Sequence, residues 1–489
     1  MTPLIPFDNG YARLPARFFA PSVPAPVTQP ELIVLNADLA RDLGIDPERL
    51  ARDVAVLAGN RVPQGAEPIA LAYAGHQFGG FSPRLGDGRA VLLGQVRDQA
   101  GTSWDIQLKG SGVTPFSRGG DGRAWMGPVL REYVLSEAMH ALGVPTTRAL
   151  AAVSTGQPVY RRQVLPGAVL TRVARSHVRV GTFEYFAARG DEEGLNTLLA
   201  HVLQRYLPDL PASDTPTLAL LAEVGRRQAA LVAHWMSIGF IHGVMNTDNS
   251  SVVGDTIDYG PCAFLDEYSA NKVFSSIDHQ GRYAYGNQPH MGQWNLAALA
   301  RATLPLIQDK PGQLEAAQAI IDSFPSAFND QSIRRMRAKL GLAVAKPEDA
   351  ELVADLLQRM DDNHADFTNT FRALSALSGQ PGDADDAVRA QFDHPAGFDS
   401  WASKWRARLA QEGSEDAPRQ MQMRQVNPAY IPRNHQVEAM IQAAVRGDYA
   451  PLHTLLEVLK RPFDDREQWA AYAQPPQSHE IVHQTFCGT

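Results

Sequence analysis

Two oxygen-bearing side chains, Asn249 and Asp258, lie near the ends of a compact stretch within residues 242–261. Short apolar runs on either side of Gly254 predict a pair of strands joined by a turn, which would bring the two side chains together. Amide and carboxylate oxygens in a partly hydrated position are the ligands that Mg²⁺ prefers. The stretch therefore predicts a site for Mg²⁺, or for Mn²⁺, which these residues do not distinguish.

The order of residues in this stretch resembles the catalytic centre of kinase-like enzymes. In those enzymes a His-x-Asp opens the catalytic loop, a later Asn binds metal, and the Asp of an Asp-Phe-Gly binds the metal that bridges the nucleotide phosphates. Here His242, Asn249 and Asp258 take the corresponding places, but Val244 stands where the catalytic base is expected. Valine cannot accept a proton, so Asp248 is the nearest carboxylate that could act as the general base.

Lys109 is the only lysine in the first 271 residues, although arginine is frequent there. It ends a predicted strand, Trp104 to Lys109, which follows another predicted strand, Ala90 to Val96. Kinases use a lysine at such a position to hold nucleotide phosphates, because an ammonium is a compact point charge. The pattern predicts that Lys109 lies at the end of an antiparallel hairpin and binds phosphate there.

Glycine-rich turns flank this hairpin at Gly86-Asp87-Gly88-Arg89 and at Gly120-Asp121-Gly122-Arg123. Such turns are weak indicators of function, because glycine often supplies only the positive φ of a tight turn. The second turn is explained equally well as a hairpin turn and as a phosphate-binding nest.

A helix predicted over Pro128 to Leu142 carries two acidic residues, Glu132 and Glu137. These residues lie about 140° apart around the helix axis, so only one of them can contact Lys109. An acidic partner of this kind would fix the lysine side chain in place.

Arg172 and Arg179 lie within and just after a predicted strand, Ala168 to Ala174. The simplest interpretation of the basic residues here is a solvated edge of the sheet. The segment is otherwise rich in apolar residues, so at least one of the two arginines could be partly buried and would then need an anionic partner.

Composition limits the class of protein. The 489 residues are 44% hydrophobic and 20% charged with a net charge of -8, which is typical of a globular protein and argues against a general nucleic-acid binder. Without a bilayer-spanning run or an export signal, we expect a cytoplasmic protein without membrane contact, with the mitochondrial matrix as the weaker alternative. The two cysteines, Cys262 and Cys487, are either unrelated thiols or the two halves of a redox latch.

The remaining sequence predicts four parts. Residues 1–60 are rich in proline and form a wrapping segment with one helix near Pro30 to Leu43, and residues 61–185 contain the strands. Residues 186–425 are predicted to be all helical, with one helix leading directly into His242 and with separate helices at Gln313 to Phe324 and Asp330 to Leu340. Residues 426–489 form a helical extension with a polar tail.

Several separated motifs together resemble the selenoprotein O family, called YdiU in bacteria, over nearly the whole chain. The motifs that carry this resemblance are Tyr73-Ala-Gly-His-Gln-Phe-Gly-Gly-Phe, Leu108-Lys-Gly-Ser-Gly, Arg131-Glu-Tyr, Ser136-Glu-Ala-Met-His, His242-Gly-Val-Met-Asn-Thr-Asp-Asn, Ile257-Asp-Tyr-Gly-Pro and Asn427-Pro through Arg433-Asn. The resemblance implies an α+β, protein-kinase-like fold of two lobes, with a small lobe of antiparallel sheet and one helix, and a large helical lobe with a C-terminal extension.

The resemblance also implies an activity, the transfer of AMP from ATP to hydroxyl side chains of proteins, with the nucleotide reversed relative to kinases. It assigns the metal to Asn249 and Asp258, the base to Asp248 and the orientation of Lys109 to Glu132. The residues that it assigns to ATP are Gly86, Gly88, Arg89, Lys109, Asp121, Gly122, Arg172, Arg179 and Asp258. It further implies that Cys487 can bridge to Cys262 under oxidising conditions as a regulatory disulfide.

Three other functions remain open at this point. A γ-phosphate-transferring kinase of the small-molecule type would share His242-Gly243, although Val244 argues against it, and UTP could replace ATP as the donor. A nucleotide-binding scaffold without chemistry would need neither metal ligand. In each case we expect a monomer whose partners are a nucleotide and, for the transferase, protein substrates bearing Ser, Thr or Tyr.

Overall fold

An antiparallel sheet organises the first part of the chain in the computed structural model, which describes residues 3–486. Within that range the main sheet has the strand order β1-β3-β6-β7-β10-β9-β2, and β8 pairs beside it with β10. The strands are β1 (Phe19–Pro21), β2 (Glu31–Leu35), β3 (Ile69–Leu71), β4 (Gly75–Gln77), β5 (Gly80–Ser82), β6 (Ala90–Arg97), β7 (Ser103–Lys109), β8 (Ala124–Trp125), β9 (Arg148–Tyr160), β10 (Val164–Ala174), β11 (Phe240–Ile241) and β12 (Ala263–Phe264).

Helices make up most of the rest. They are α1 (Ala37–Asp42), α2 (Pro47–Arg52), α3 (Val54–Leu57), α4 (Met126–Ala141), α5 (Val180–Ala187), α6 (Glu192–Tyr206), α7 (Pro216–Ser237), α8 (Gln288–Ala302), α9 (Gln313–Lys339), α10 (Asp349–Asp362), α11 (Phe367–Leu374), α12 (Asp385–Arg389), α13 (Ala396–Ala410), α14 (Asp416–Val426), α15 (Asn434–Val445) and α16 (Ala450–Leu459). The α+β class is therefore as predicted. The division into two kinase-like lobes stays a prediction.

The central strand β7 places Lys109 and Gln107 on one face of the sheet. Leu170 of β10 lies opposite Lys109, and Arg172 lies opposite Gln107, so Arg172 shares the face of Lys109. Helix α4 packs on this face, and its apolar residues form one core with Leu170. The register therefore directs Lys109 and Arg172 toward the helix that carries Glu132.

The N-terminal segment is built into the sheet as well as lying around it. Strands β1 and β2 form the two ends of the strand order, and β2 pairs with β9 through Leu32 and Val153. The helix predicted near Pro30 to Leu43 is therefore wrong in its first half, because Glu31–Leu35 is an edge strand. Only Ala37–Asp42 is helical, with the side chain of Asn36 capping its N-terminus.

The stretch around Gly254 does not form the predicted hairpin. Strands β11 and β12 pair instead, with Phe240 opposite Phe264, and they close the base of the whole loop. The apolar residues of the stretch contact other parts of the protein: the N–H of Val252 donates to the carbonyl of Val178 at 3.2 Å. Burial against these distant segments replaces the local pairing that the sequence predicted.

The helical part also differs from prediction at one long helix. The two helices predicted on either side of Pro325 are one continuous helix, α9, with this proline inside it. Phe324 and Phe328 are both buried in the largest core, where α9 packs along α7. The pair β11 and β12 also makes this part of the chain less than all helical. None of the helices within residues 3–486 combines the length and apolar character needed to cross a bilayer.

Candidate active site

A cleft of about 780 Å³ lies between the glycine-rich turns of the sheet and the loop 244–258. It gathers most of the residues that the sequence predicted for nucleotide and metal, although they are far apart in the chain. The predicted site residues that line it are Gly86, Gly88, Arg89, Asp121, Gly122, Asp248, Asn249 and Asp258. The side chains of three further predicted residues, Lys109, Arg172 and Arg179, are at most 12% exposed.

Lys109 holds the sheet and the loop together through two carboxylates. Its Nζ lies 2.5 Å from Oε2 of Glu132 on α4 and 2.5 Å from Oδ1 of Asp258. The other acidic residue of the helix, Glu137, pairs instead with Arg148 at 2.7 Å. The prediction that only one of the two glutamates can contact Lys109 is confirmed, and Glu132 is that residue.

Arg172 joins the same cluster from the neighbouring strand. Its side chain is 3% exposed, lies 2.5 Å from Oε1 of Glu132 and donates to Oδ1 of Asp258 at 3.2 Å. Burial alone would raise the pKa of Glu132, but Arg172 and Lys109 outweigh it and lower that pKa. Arg172 is therefore a buried arginine with an anionic partner, as the second interpretation of this segment expected. The first interpretation, a solvated edge of the sheet, is wrong for Arg172.

Asp258 is held by its backbone as well as by its ion pairs. Its φ is 69°, in the left-handed region that a non-glycine residue adopts only under constraint. Burial favours the neutral carboxyl, yet Lys109 and Arg172 hold the pKa of Asp258 well below its usual range. Both of these cations contact Oδ1, which leaves Oδ2 outside these two ion pairs.

Two buried side chains fix the loop around Asp258. His242 Nε2 donates to the carbonyl of Ile257 at 2.9 Å, and the N–H of Val244 donates to its Nδ1 at 3.3 Å. Burial lowers the pKa of His242, which favours the neutral ring that this pattern requires. Arg131, next to Glu132 on α4, donates to the carbonyls of Gly260 at 3.1 Å and of Cys262. Helix α4 therefore holds the two cations of the cluster through Glu132 and the loop after Asp258 through Arg131.

Asp248 lies in a different environment. Gln77 Nε2 donates to its Oδ2 at 3.1 Å, while its Oδ1 is buried without a hydrogen-bond partner. Burial raises the pKa of Asp248 from 3.8 to about 6, with Gln77 opposing the shift. A carboxylate with this pKa and a free lone pair is suited to accept a proton near neutral pH.

Asn249 and Asp258 line the same cleft and have the donor atoms expected for a hard cation. The amide nitrogen of Asn249 donates to the carbonyl of Val244 at 3.1 Å, which leaves its side-chain oxygen as the atom for a ligand. No group of three or more His, Cys, Asp or Glu side chains that could hold a metal occurs within residues 3–486. Two protein oxygens, completed by phosphate oxygens and water, fit the coordination that Mg²⁺ prefers.

Arg179 is buried beside the cluster rather than in it. Its Nη1 lies 3.7 Å from Oδ1 of Asp87, and its guanidinium lies 4.4 Å from the ring centroid of Tyr73. Its Nε is buried without a hydrogen-bond partner. The sequence did not single out Asp87 or Tyr73, although Asp87 stands inside a glycine-rich turn and Tyr73 begins a quoted motif.

The two glycine-rich turns pack closely against neighbouring backbone and rings. A Cβ at Gly86, where φ is +67°, would lie 2.2 Å from the ring of Phe116, and one at Gly122 would lie 2.0 Å from the carbonyl oxygen of Gly112. Asp121 pairs with Arg161 at 2.7 Å and its side chain is 46% exposed. Asp121 therefore lies at the open rim of the cleft, in contrast to the buried cluster.

Cys262 is buried and has no disulfide partner within the described residues, while Cys487 lies outside them. Burial raises the pKa of the Cys262 thiol to about 12. The tail does reach this region: the hydroxyl of Thr485 donates to the carbonyl of Pro261 at 2.5 Å, and its N–H donates to the carbonyl of Phe274 at 2.8 Å.

Comparison with known proteins shows the family of the chain. Residues 4–460 match the family described as protein adenylyltransferase SelO. A protein named protein nucleotidyltransferase YdiU from Rhodopseudomonas palustris (strain BisB18) is 57% identical over 488 residues, which cover 99% of each chain. Proteins of the same name are 58% identical over 498 residues in Methylorubrum extorquens, with 100% of both chains covered, and 57% identical over 487 residues in Rhizobium leguminosarum bv. trifolii, with 99% and 97% covered. The chain therefore belongs to the SelO family of protein nucleotidyltransferases.

Proposed function

We propose that this protein transfers AMP from ATP to hydroxyl groups of Ser, Thr or Tyr side chains in other proteins and releases pyrophosphate. One observation carries the proposal: the cluster of Lys109, Arg172 and Asp258 borders a cleft that Asp248 also lines. Group transfer from a nucleoside triphosphate requires cations that neutralise the phosphates, a carboxylate that can bind a metal ion and a carboxylate that can accept a proton. Membership of a family described as adenylyltransferases supports AMP as the transferred group.

The distribution of charge favours a nucleotide whose terminal phosphate points toward the sheet. Lys109 and Arg172 lie on one face of the sheet, and the buried Arg179 lies beside them. Arg89 lines the cleft and lies close enough to lower the pKa of Asp258. If these cations neutralise the β- and γ-phosphates, the α-phosphorus faces the loop that carries Asp248. Pyrophosphate is then the leaving group.

The proton of the acceptor hydroxyl goes to Asp248. The hydroxyl oxygen forms a bond to the α-phosphorus, the bond from the α-phosphorus to the bridging oxygen breaks, and the proton moves to the carboxylate of Asp248, whose Oδ1 has no hydrogen-bond partner. Gln77 holds the other oxygen and thereby orients the carboxylate. With a pKa of about 6, Asp248 is mostly ionised at neutral pH and can accept the proton.

Asn249 and Asp258 would hold the divalent cation, Mg²⁺ or Mn²⁺. The cation would neutralise charge on the phosphate oxygens during transfer. Lys109 and Arg172 pair with Asp258, so they keep this carboxylate ionised and in place. Glu132 accepts hydrogen bonds from both Lys109 and Arg172 and thereby acts as a positioning residue.

Cys262 and Cys487 are proposed to form a regulatory disulfide. Thr485 is anchored at Pro261, one residue before Cys262, and Cys487 follows Thr485 by two residues in the sequence. Mass spectrometry of peptides from oxidised, unreduced protein tests the bridge, which would be seen as one linked pair of peptides.

Labelled nucleotides test the proposed activity. The protein is incubated with a cell extract and ATP labelled at either the α- or the γ-phosphorus. Label on protein from the α-position alone supports AMP transfer, whereas label from the γ-position alone would support a kinase. No label from either would support a scaffold, and α-labelled UTP in a parallel reaction decides whether UMP is the group transferred.

A further inference from the structure

A second cavity lies where the C-terminal ends of α7 and α9 meet the end of α14, and it shares no lining residue with the cleft. Its volume is about 400 Å³. Lys339, Arg334, Arg335 and His234 line it, and among the described residues no aspartate or glutamate does. We call this cavity, defined by those four side chains, the basic pocket.

Lys339 is the most unusual member of the basic pocket, because it is 3% exposed and has no carboxylate partner within residues 3–486. Its ammonium lies 4.3 Å from the ring centroid of Phe371 and 5.5 Å from that of Phe367. Ring faces stabilise a cation less than the loss of its hydration destabilises it. Burial accordingly lowers the pKa of Lys339 to about 7, with no anion to oppose the shift.

The neighbours of Lys339 also have unused polar atoms. Nε of Arg335 and Nδ1 of His234 are both buried without a hydrogen-bond partner. Burial, together with the charges of Arg335 and Lys339, lowers the pKa of His234 to about 3, so its ring is neutral. The pocket therefore combines like charges with orphaned polar atoms, a combination that an anion would relieve.

The positions of these residues offer one other explanation. Lys339 lies in the last turn of α9 and His234 in the last turn of α7, where the helix dipole favours positive charge. The dipole effect is smaller than the penalty for burying an ammonium, and it leaves Nε of Arg335 without a partner. Helix ends therefore account for only part of the arrangement.

We propose that the basic pocket binds the phosphate group of a small phosphate monoester. A cavity of this volume is at the scale of small-molecule sites rather than of a protein surface. A phosphate monoester carries nearly two negative charges at neutral pH, which matches two arginines and a lysine with a pKa of about 7 better than the single charge of a carboxylate does. Phe463 and Leu142 give part of the wall an apolar surface for the esterified group.

Calorimetric titration with phenyl phosphate and with inorganic phosphate tests this proposal, in a buffer free of other polyvalent anions. Wild-type protein is expected to bind phenyl phosphate more tightly than inorganic phosphate. Lys339→Met, which keeps the length of the side chain, is expected to weaken phenyl phosphate binding by about tenfold or more, as is Arg335→Gln. The control Lys310→Met removes an exposed lysine outside the pocket and should bind as wild type does.

Lys109→Met separates the basic pocket from the cleft, because it removes a cleft cation and should leave phenyl phosphate binding in the basic pocket unchanged. The proposal is overturned if wild type binds neither probe, or if inorganic phosphate binds as well as phenyl phosphate does. It is also overturned if Lys109→Met abolishes the binding, or if Lys339→Met and Arg335→Gln both bind as wild type does. Should Lys339→Met fail to fold, Arg335→Gln decides the question alone.

Discussion

Asp248 and Asp258 line the same cleft, but their surroundings shift the pKa values of the two carboxylates in opposite directions. Asp258 forms ion pairs with Lys109 and Arg172, which keep its pKa well below the usual range in spite of burial. Asp248 accepts a hydrogen bond from the neutral amide of Gln77, and burial raises its pKa to about 6. A pair of carboxylates whose surroundings separate their pKa values in this way can divide the work, one as a permanent anion and one as a proton acceptor.

The largest effect is expected from Asp258→Ala. The change removes a proposed metal ligand and leaves Lys109 and Arg172 without one of their carboxylates, so metal-dependent ATP binding and transfer should fall below detection. Calorimetry with ATP and Mg²⁺ measures the binding. Asp255→Asn is the matched control, since it breaks the nearby ion pair with Arg175 and should retain ATP binding in the folded protein. Equal losses in both variants would assign the effect to the loop rather than to the carboxylate.

Asp248→Asn should lower the turnover by about 10²–10⁴-fold, the usual contribution of a general base, with ATP affinity largely kept. Single-turnover transfer of α-labelled AMP measures this change. In wild type the rate should rise with pH through about 6, because the base must be ionised, and the variant should lack that rise. Loss of ATP binding in Asp248→Asn would show that the residue holds nucleotide instead.

Glu132→Gln tests whether Glu132 positions Lys109 and Arg172 beside Asp258. Removing one partner from a buried ion pair costs about 3–5 kcal/mol of folding stability, and Lys109 should lose its fixed position. We expect ATP affinity to fall by about 10–100-fold, as it does when a supporting residue is lost at other sites. Glu137→Gln on the same helix breaks the pair with Arg148 and should lower the melting temperature without changing ATP affinity.

The smallest effect concerns stability. The folded-state pKa of Asp248, about 6, lies above its ordinary value of 3.8, so between these pH values the native state binds more protons than the unfolded state. Stability from this group is therefore complete below about pH 4 and is lost as the pH rises through about 6. Asp248→Asn should thus stabilise the ligand-free protein by about 2–3 kcal/mol at pH 8 and by almost nothing at pH 4. Denaturant unfolding at the two pH values measures this, and equal effects at both would contradict the raised pKa.

Local sequence patterns were sufficient for the elements that carry Lys109 and Arg172, the cations proposed to bind phosphate. The strands that end at Lys109 and contain Arg172 were predicted within a few residues, as was helix α4 with Glu132. Their alternating or helical periodicity is strong, and the angle between Glu132 and Glu137 follows from helix geometry alone. The scarcity of lysine in the first 271 residues also made Lys109 a candidate site residue without any structural information.

Non-local contacts account for what the sequence did not predict. Glu31–Leu35 became a strand because β9 was available to pair with it, and Val252 bonds to Val178 instead of to a hairpin partner. The support of the Cys262 carbonyl by Arg131 joins residues far apart in the chain, as does the contact of Gln77 with Asp248. Propensity and spacing carry no information about such pairs.

The anchoring of Thr485 has a practical consequence for anyone who produces this protein. Its hydroxyl is bonded to the carbonyl of Pro261, three residues beyond Asp258, so the end of the described chain is tied directly to the loop that carries a proposed metal ligand. A purification tag or fluorescent fusion attached just after this residue would be joined to the chain next to the residue that anchors that loop. Assays of fused material therefore need untagged protein beside them, so that an effect on the anchor can be separated from an effect on the chemistry.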